Sequence, residues 1–393
     1  MLGRVDVGAL EPGERSLYAY NYGRALELSG NGPEAYQKYT QVLEQNPEFD
    51  LASEGAFRLL RASRPARVGE AARLAEMLLA RGQQESAVRE LRRALEIWAA
   101  EPDAQRLLAV LVRYFVAARI DPRQFRKNEW PALRSLSERG PRLAPAIKQI
   151  ATAYEGKVPT FVERGSARGF FNAWSPEPWK SEPFSRLLKT IGDSYDRAEQ
   201  PRQALALYSG AWSLDPTNTE AALYVALILR DHAQGLDPGG RLLSRMTESV
   251  FEEKGIAYQK QDWLNILRQH VLLATLFEKE GKWGPRGNPR SAIFQWTNAL
   301  RADDRIRQRD PNFPLSPAIY LHLGECHMRV GDPDLAWNAY AKASYAFLKS
   351  SKPEDAAAAL ERARSLAKFM TPQQLETVRT LENAIARARR ASG

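Results

Sequence analysis

The chain has 393 residues, of which 44% are hydrophobic and 26% charged, with a formal net charge of +9. That apolar share can bury a continuous core, which excludes wholesale disorder, and the length suits two or three globular domains or one extended solenoid. A single cysteine, Cys326, excludes an intramolecular disulfide or a cysteine-built zinc framework and fits a reducing compartment.

The positive charge is modest and spread out, so it reads as solvated surface or a bias toward an acidic partner, not as a nucleic-acid footprint. The N-terminal stretch lacks an apolar core segment and no run of 18 apolar residues occurs. The expectation is a chain without a membrane span, in the cytoplasm.

In chain order, residues 1–13 read as a lead rich in Gly and Pro. A helical hairpin follows near 14–46, then an extra helix at 51–63 and a second hairpin at 68–100. Residues 102–118 are apolar nearly all round, which predicts a buried helix. Pro122, Pro131, Pro141 and Pro145 cut 119–155 into short helices. Residues 156–184 combine Gly and Pro with Phe161, Phe170, Phe171, Trp174, Trp179 and Phe184, too apolar for a free linker. They either pack along their own chain or form a lid over a binding surface.

The stretch 185–218 carries the clearest pattern. Leu188, Ile191 and Tyr195 recur at helical spacing, with Gly192 on the same face where a second helix can come close. Gln200-Pro201 breaks the run, and a second amphipathic helix with Ala204, Leu207, Tyr208 and Ala211 inward ends at Asp215-Pro216. Counting from Ser185, small residues fall at 8, 20 and 27, an aromatic at 24 and Pro at 32. Gly23, Ala35, Tyr39 and Pro47 repeat this register, as do Gly324, Ala336, Tyr340 and Ala343, and Ala75, Ala87, Leu91 and Ala94. Ala226 and Ala358 stand one period beyond Gly192 and Gly324. Further elements are expected at 219–233, up to 255, 262–303 with an insertion at 283–289, 317–349, 353–368, and a polar capping helix from 372 to 390.

A helix-turn-helix unit recurring about every 34 residues resembles the tetratricopeptide repeat. The resemblance implies an all-α, right-handed superhelical solenoid of antiparallel hairpins, about 17–19 helices. The expected organisation is an N-terminal block at 1–155, a connecting segment at 156–184 and a C-terminal block at 185–393. In that family the first helix of each hairpin lines a concave groove. Carried over, the groove residues are Tyr20, Asn21, Arg24 and Glu27; Arg186, Lys189, Asp193 and Arg197; Tyr224 and Arg230; Arg268 and Glu278; and His322, Glu325 and Arg329. Each could equally be an ordinary solvated helix face. Arg186, Lys189 and Arg197 share one helix face and would suit a carboxylate-bearing peptide. Asn21 and Arg24 suggest the family's carboxylate clamp for chaperone C-termini, but Ala72, Arg73 and Glu76 in the next repeat break it.

Catalytic signatures are missing: the chain holds no phosphate-binding P-loop, HExxH or GxSxG pattern. His322 and Cys326 lie one helical turn apart, compatible with a metal pair or a thiol nucleophile, yet packing in the repeat accounts for them better. GLDPGG and WGPRGNP lie between helices and read as turns. The function expected is a non-enzymatic scaffold or adaptor holding a peptide or partner protein, without cofactor or metal. A peptide-responsive regulator and a nucleic-acid-binding solenoid remain as alternatives.

Overall fold

Proline opens six of the paired helices, at Pro12, Pro33, Pro201, Pro317, Pro333 and Pro353, where its missing N–H leaves no bond unmade. The computed structural model describes residues 10–161, 165–172, 178–314 and 316–392, with side chains given at all of these except 178–181, 230, 233, 367, 391 and 392. Trp174, and the side chains of Trp179 and Arg230, lie outside the described set.

The elements are α1 (Pro12–Leu28), α2 (Gly32–Gln45), α3 (Asp50–Ala62), α4 (Val68–Ala80), α5 (Gln84–Trp98), α6 (Ala104–Ala117), α7 (Pro122–Gln124), a π-helical turn (Phe125–Glu129), α8 (Trp130–Arg139), α9 (Ala144–Tyr154), α10 (Ser166–Phe170), α11 (Pro178–Arg197) and α12 (Pro201–Leu214). They continue with α13 (Thr219–Asp231), α14 (Ala233–Leu236), α15 (Arg241–Gln259), α16 (Trp263–Lys279), α17 (Ala292–Arg309), α18 (Pro317–Val330), α19 (Pro333–Lys349), α20 (Pro353–Arg364) and α21 (Pro372–Ser392). No strand occurs among the described residues. The chain is all-α, and consecutive helices pair: α1 with α2, α4 with α5, α11 with α12, α16 with α17, α18 with α19.

The pairing rests on the glycines. A Cβ added to Gly192 would sit 2.8 Å from Tyr208 Cε1, and one on Gly324 2.4 Å from Tyr340 Cε1. Gly23 meets Tyr39 in the same way, at 2.8 Å, and Gly55 of α3 closes on the opposite edge of that ring at 2.7 Å. Tyr39 is fully buried between the two. Glycine is the residue that lets a helix backbone rest on an aromatic ring at this distance. These are antiparallel helical hairpins, with the aromatic of the second helix seated on the glycine of the first.

Two compact units form. The first comprises Met1–Thr160 and Ala167–Asp215, the second Phe161–Ser166 and Pro216–Gly393. The sequence had placed a division at 156–184. Packing instead joins α11 and α12 to the first unit, because α11 docks on α6 and α9. Phe171 and Phe184 are both fully buried there, in edge contact with centroids 5.0 Å apart. The Ala167 N–H donates to Ser213 Oγ at 2.9 Å, and Ser185 Oγ to the Ala211 carbonyl at 2.7 Å. Covered in this way, α12 is buried on every side from Ala204 to Leu214, not on one face. In the irregular stretch after α6, Phe125 of the π turn stacks on Tyr154 at 3.7 Å, with Phe115 edge-on to both.

In the second unit α15 to α21 pack in sequence. Ala358, expected at a helix crossing, is exposed, and Ala356, Ala359 and Ala363 are buried in its place. The cause is α19, which has 17 residues where α12 has 14, so the next helix starts out of register. The last helix buries Val378, Leu381 and Ile385 against α19 and α20.

Within each unit, ion pairs tie some helices to a later one. Arg58 of α3 grips Glu27 of α1, with Nε at 2.8 Å and a second nitrogen at 2.9 Å. Arg113 of α6 pairs with Glu76 of α4, Arg362 of α20 with Glu325 of α18, and Arg389 of α21 with Glu354 of α20.

Candidate functional site

The residues expected to line one groove are divided between the two units. Tyr20 to Arg197 belong to the first unit and Tyr224 to Arg329 to the second. On α1, Tyr20 is half-buried, with its ring 5.7 Å from Tyr39 and 5.4 Å from Phe49, so it serves the core. Arg24 is absorbed into the Glu27 cluster, donating at 2.8 Å, and the Tyr39 hydroxyl donates to the same carboxylate at 2.6 Å. The bond from Arg58, which outweighs partial burial, together with those from Tyr39 and Arg24, lowers the Glu27 pKa to about 2. Asn21 remains exposed.

On α11 the expected cationic stripe is largely neutralised by its own helix. Arg186 pairs with Glu182 at 2.8 Å and Lys189 with Asp193 at 3.1 Å. Asp193 also accepts the Tyr208 hydroxyl at 2.9 Å, so this residue braces the hairpin. Arg197 donates to the Asp193 carbonyl at 3.0 Å. Arg186 is the open member, with two thirds of its side chain exposed, while Lys189 is four-fifths buried.

Sequence reasoning missed the feature that links these helices. Glu182 approaches Arg113 of α6 at 4.0 Å, and Arg113 pairs in turn with Glu76 of α4. Glu76, Arg113, Glu182 and Arg186 therefore run as alternating charges across three helices, α6 touching both α4 and α11. Beside them lies a cleft of 380 Å³ lined by Glu76, Leu79, Ala80, Arg113, Tyr114 and Ala117, among others. Only the Glu182–Arg186 pair, four residues apart, had a local signal; Glu76 and Arg113 meet through the fold.

In the second unit Tyr224 is half-buried and Arg268 exposed, and Arg329 lies over the Trp283 ring at 5.6 Å. Glu325 is held by Arg362. His322 belongs to a buried polar knot around Glu278 of α16. That carboxylate accepts Trp296 Nε1–H at 2.7 Å and the Cys326 thiol at 3.2 Å, with His322 Nδ1 at 3.1 Å. The imidazole stacks on the Trp296 indole at 4.7 Å. Burial opposes a charge on His322, but the Glu278 carboxylate prevails and raises its pKa. Burial first, then Glu278, pushes the Cys326 thiol well above its usual range. It stays protonated, which removes the nucleophile reading. All three groups are spent on the Glu278 carboxylate, and among the described residues no group of three or more His, Cys, Asp or Glu is arranged to hold a metal ion. A second histidine, His270, faces Gln295 through Nδ1 at 2.6 Å and the Tyr258 hydroxyl through Nε2 at 2.9 Å. Burial lowers its pKa to about 4.

No protein-family model matches the chain, and no curated protein does. Among solved structures, the TPR domain of P58(IPK) aligns over 95% of this chain and 99% of its own, at 13% identity and a TM-score of 0.19. Yeast Tom70 aligns over 96% and 97%, at 13% identity and a TM-score of 0.16. With spatial overlap this low, the description of the hairpins rests on the glycine–tyrosine crossings themselves. No described helix is long and apolar enough to cross a membrane.

Proposed function

We propose that this chain is a non-enzymatic scaffold that holds a peptide or a segment of a partner protein, and that the face shared by α4, α6 and α11 is where it docks. One observation carries the proposal: the line Glu76–Arg113–Glu182–Arg186, laid beside an open cleft. Each of these four side chains is at least 39% exposed. Exposed ion pairs contribute only about 0–1 kcal/mol. A carboxylate on an incoming peptide can therefore replace Glu76 or Glu182 as the arginine partner at little cost, while Leu79, Ala80 and Tyr114 offer apolar contact. Helices braced by hairpin packing lose little entropy on binding. The lone buried thiol supports a cytoplasmic setting within the same proposal.

The test is charge reversal at the two arginines. Arg113→Glu with Arg186→Glu should abolish co-purification of partners from native lysate and leave the helical circular-dichroism signal intact. Partners retained by the variant would refute this docking face. Reversal at Lys189 is a poorer probe, because Lys189 is held on Asp193, which also anchors Tyr208.

A further inference from the structure

A second cleft lies in the other unit, between α19 and α21, with a volume of 540 Å³. Pockets that hold small ligands span roughly 300–1,000 Å³. Trp337 and Leu381, both nearly buried, and Ala341 form its apolar part. Asn338, Thr371, Gln373, Gln374 and Thr377 surround it with neutral hydrogen-bonding groups, and Lys342 is the only charged residue among its described lining residues. The charge continues along the helix. Asn338, Lys342, Tyr345 and Lys349 recur at four, three and four, so they form one stripe of α19. Tyr345 is half exposed, with the Lys349 ammonium 5.6 Å from its ring centroid. Outside the cleft lining, Lys368 stands 4.8 Å from the ring of exposed Phe369. Asp334 lies one turn before the cleft and does not line it. Trp337 also keeps a buried indole N–H with no hydrogen-bond partner.

We infer that the α19–α21 cleft is a separate docking site for a short acidic peptide carrying a bulky apolar side chain. The apolar side chain packs over Trp337, Ala341 and Leu381. The amides and hydroxyls of Asn338, Gln373, Gln374 and Thr377 bond its backbone. Lys342 and Lys349 take the carboxylates, at a surface where no acid occurs among the described lining residues. Charge complementarity selects this occupant over a basic segment, and the hydrogen-bonding rim selects a polypeptide over a purely apolar ligand.

The experiment uses the whole chain and a fluorescein-labelled octapeptide EDEFLEDE read by fluorescence anisotropy. Two companions separate the contributions, one with Lys for every acid and one with Ser for Phe and Leu. Lys342→Glu with Lys349→Glu reverses the stripe, and Thr377→Trp fills the cleft from an exposed position; unchanged melting verifies both folds. EDEFLEDE should bind wild type and lose tenfold or more in affinity on each variant, with both companions binding weakly. The component of binding that Lys342→Glu with Lys349→Glu removes should persist in Arg113→Glu with Arg186→Glu. Equal affinity on wild type and both cleft variants overturns the inference, as does equal binding of the Lys companion or no binding up to about 1 mM. Loss only with the Arg113 and Arg186 reversal also overturns it and assigns the peptide to the first unit. Self-association of wild type that Thr377→Trp abolishes overturns it too, because a second copy then fills the cleft.

Discussion

Two glycines in the second unit should respond in opposite directions to the same added methyl group. Gly255 is in the interior of α15 and a Cβ there meets nothing within 4 Å. Gly255→Ala removes the entropic cost of a helical glycine and should stabilise by about 0.5–1 kcal/mol. At Gly324 the same change gains the same propensity, but its Cβ would lie 2.4, 2.6 and 2.8 Å from three atoms of the Tyr340 ring. That ring is 5% exposed and has little room to retreat. Overpacking a core costs about 1–3 kcal/mol, so the net loss at Gly324 is up to about 2 kcal/mol. The two variants should therefore differ by about 1–3 kcal/mol, a separation of up to several degrees in Tm for a unit of this size. Urea denaturation followed by circular dichroism measures it. Tyr340→Leu in the Gly324→Ala background should recover part of the loss, giving a coupling of about 1 kcal/mol. If Gly324→Ala is as stable as Gly255→Ala, the helix crossing is not where the structure places it.

Three further outcomes are expected. The His270 pKa lies at about 4 in the fold against an ordinary value of 6.5, so the folded state binds fewer protons between these limits. Its contribution to stability is complete above pH 6.5 and declines as pH falls toward 4, by about 2 kcal/mol at pH 5. An imidazole proton NMR titration should show His270 titrating near 4 and His322 above its ordinary value; a His270 midpoint near 6.5 would contradict its burial. Glu27→Gln strips the charge from the Arg24, Arg58 and Tyr39 cluster and should cost about 2 kcal/mol of first-unit stability in urea. The Glu27 pKa is depressed, so its stabilisation is present above pH 4.5 and fades as pH falls toward 2. Cys326 should resist a disulfide exchange reagent at pH 8 in the native protein and react promptly in urea. Rapid native labelling would contradict its buried, protonated state.

The hairpins were legible because Gly23, Gly192 and Gly324 each fall sixteen residues before a tyrosine that covers them. Gly55 was not, since α3 stands outside the repeat spacing and its partner Tyr39 is already claimed by Gly23. Ala358 misled because a helix three residues longer than its counterpart shifts every later position. Of the groove candidates, Arg186, Asn21 and Arg268 face solvent as an amphipathic pattern implies, whereas Tyr20 does not, since an aromatic on a polar face can still fold back on its own hairpin. The Glu76–Arg113–Glu182 line was invisible for a different reason. Its members lie on three helices separated by buried chain, and helical periodicity carries no information about which side chains meet across helices.

The arginine–glutamate ties between helices have a consequence for how the array melts. In a stacked repeat, stability divides into the worth of each hairpin and the worth of the seam to the next. The hairpin interiors are apolar, built on glycine and tyrosine, whereas the ties at Glu27, Glu76, Glu325 and Glu354 add ionic, at least partly exposed contacts beside the apolar packing between helices. Salt screens the ties and spares the interiors. Raising ionic strength should thus loosen the contacts between helices more than the hairpin interiors, broadening the thermal transition more than it lowers the midpoint.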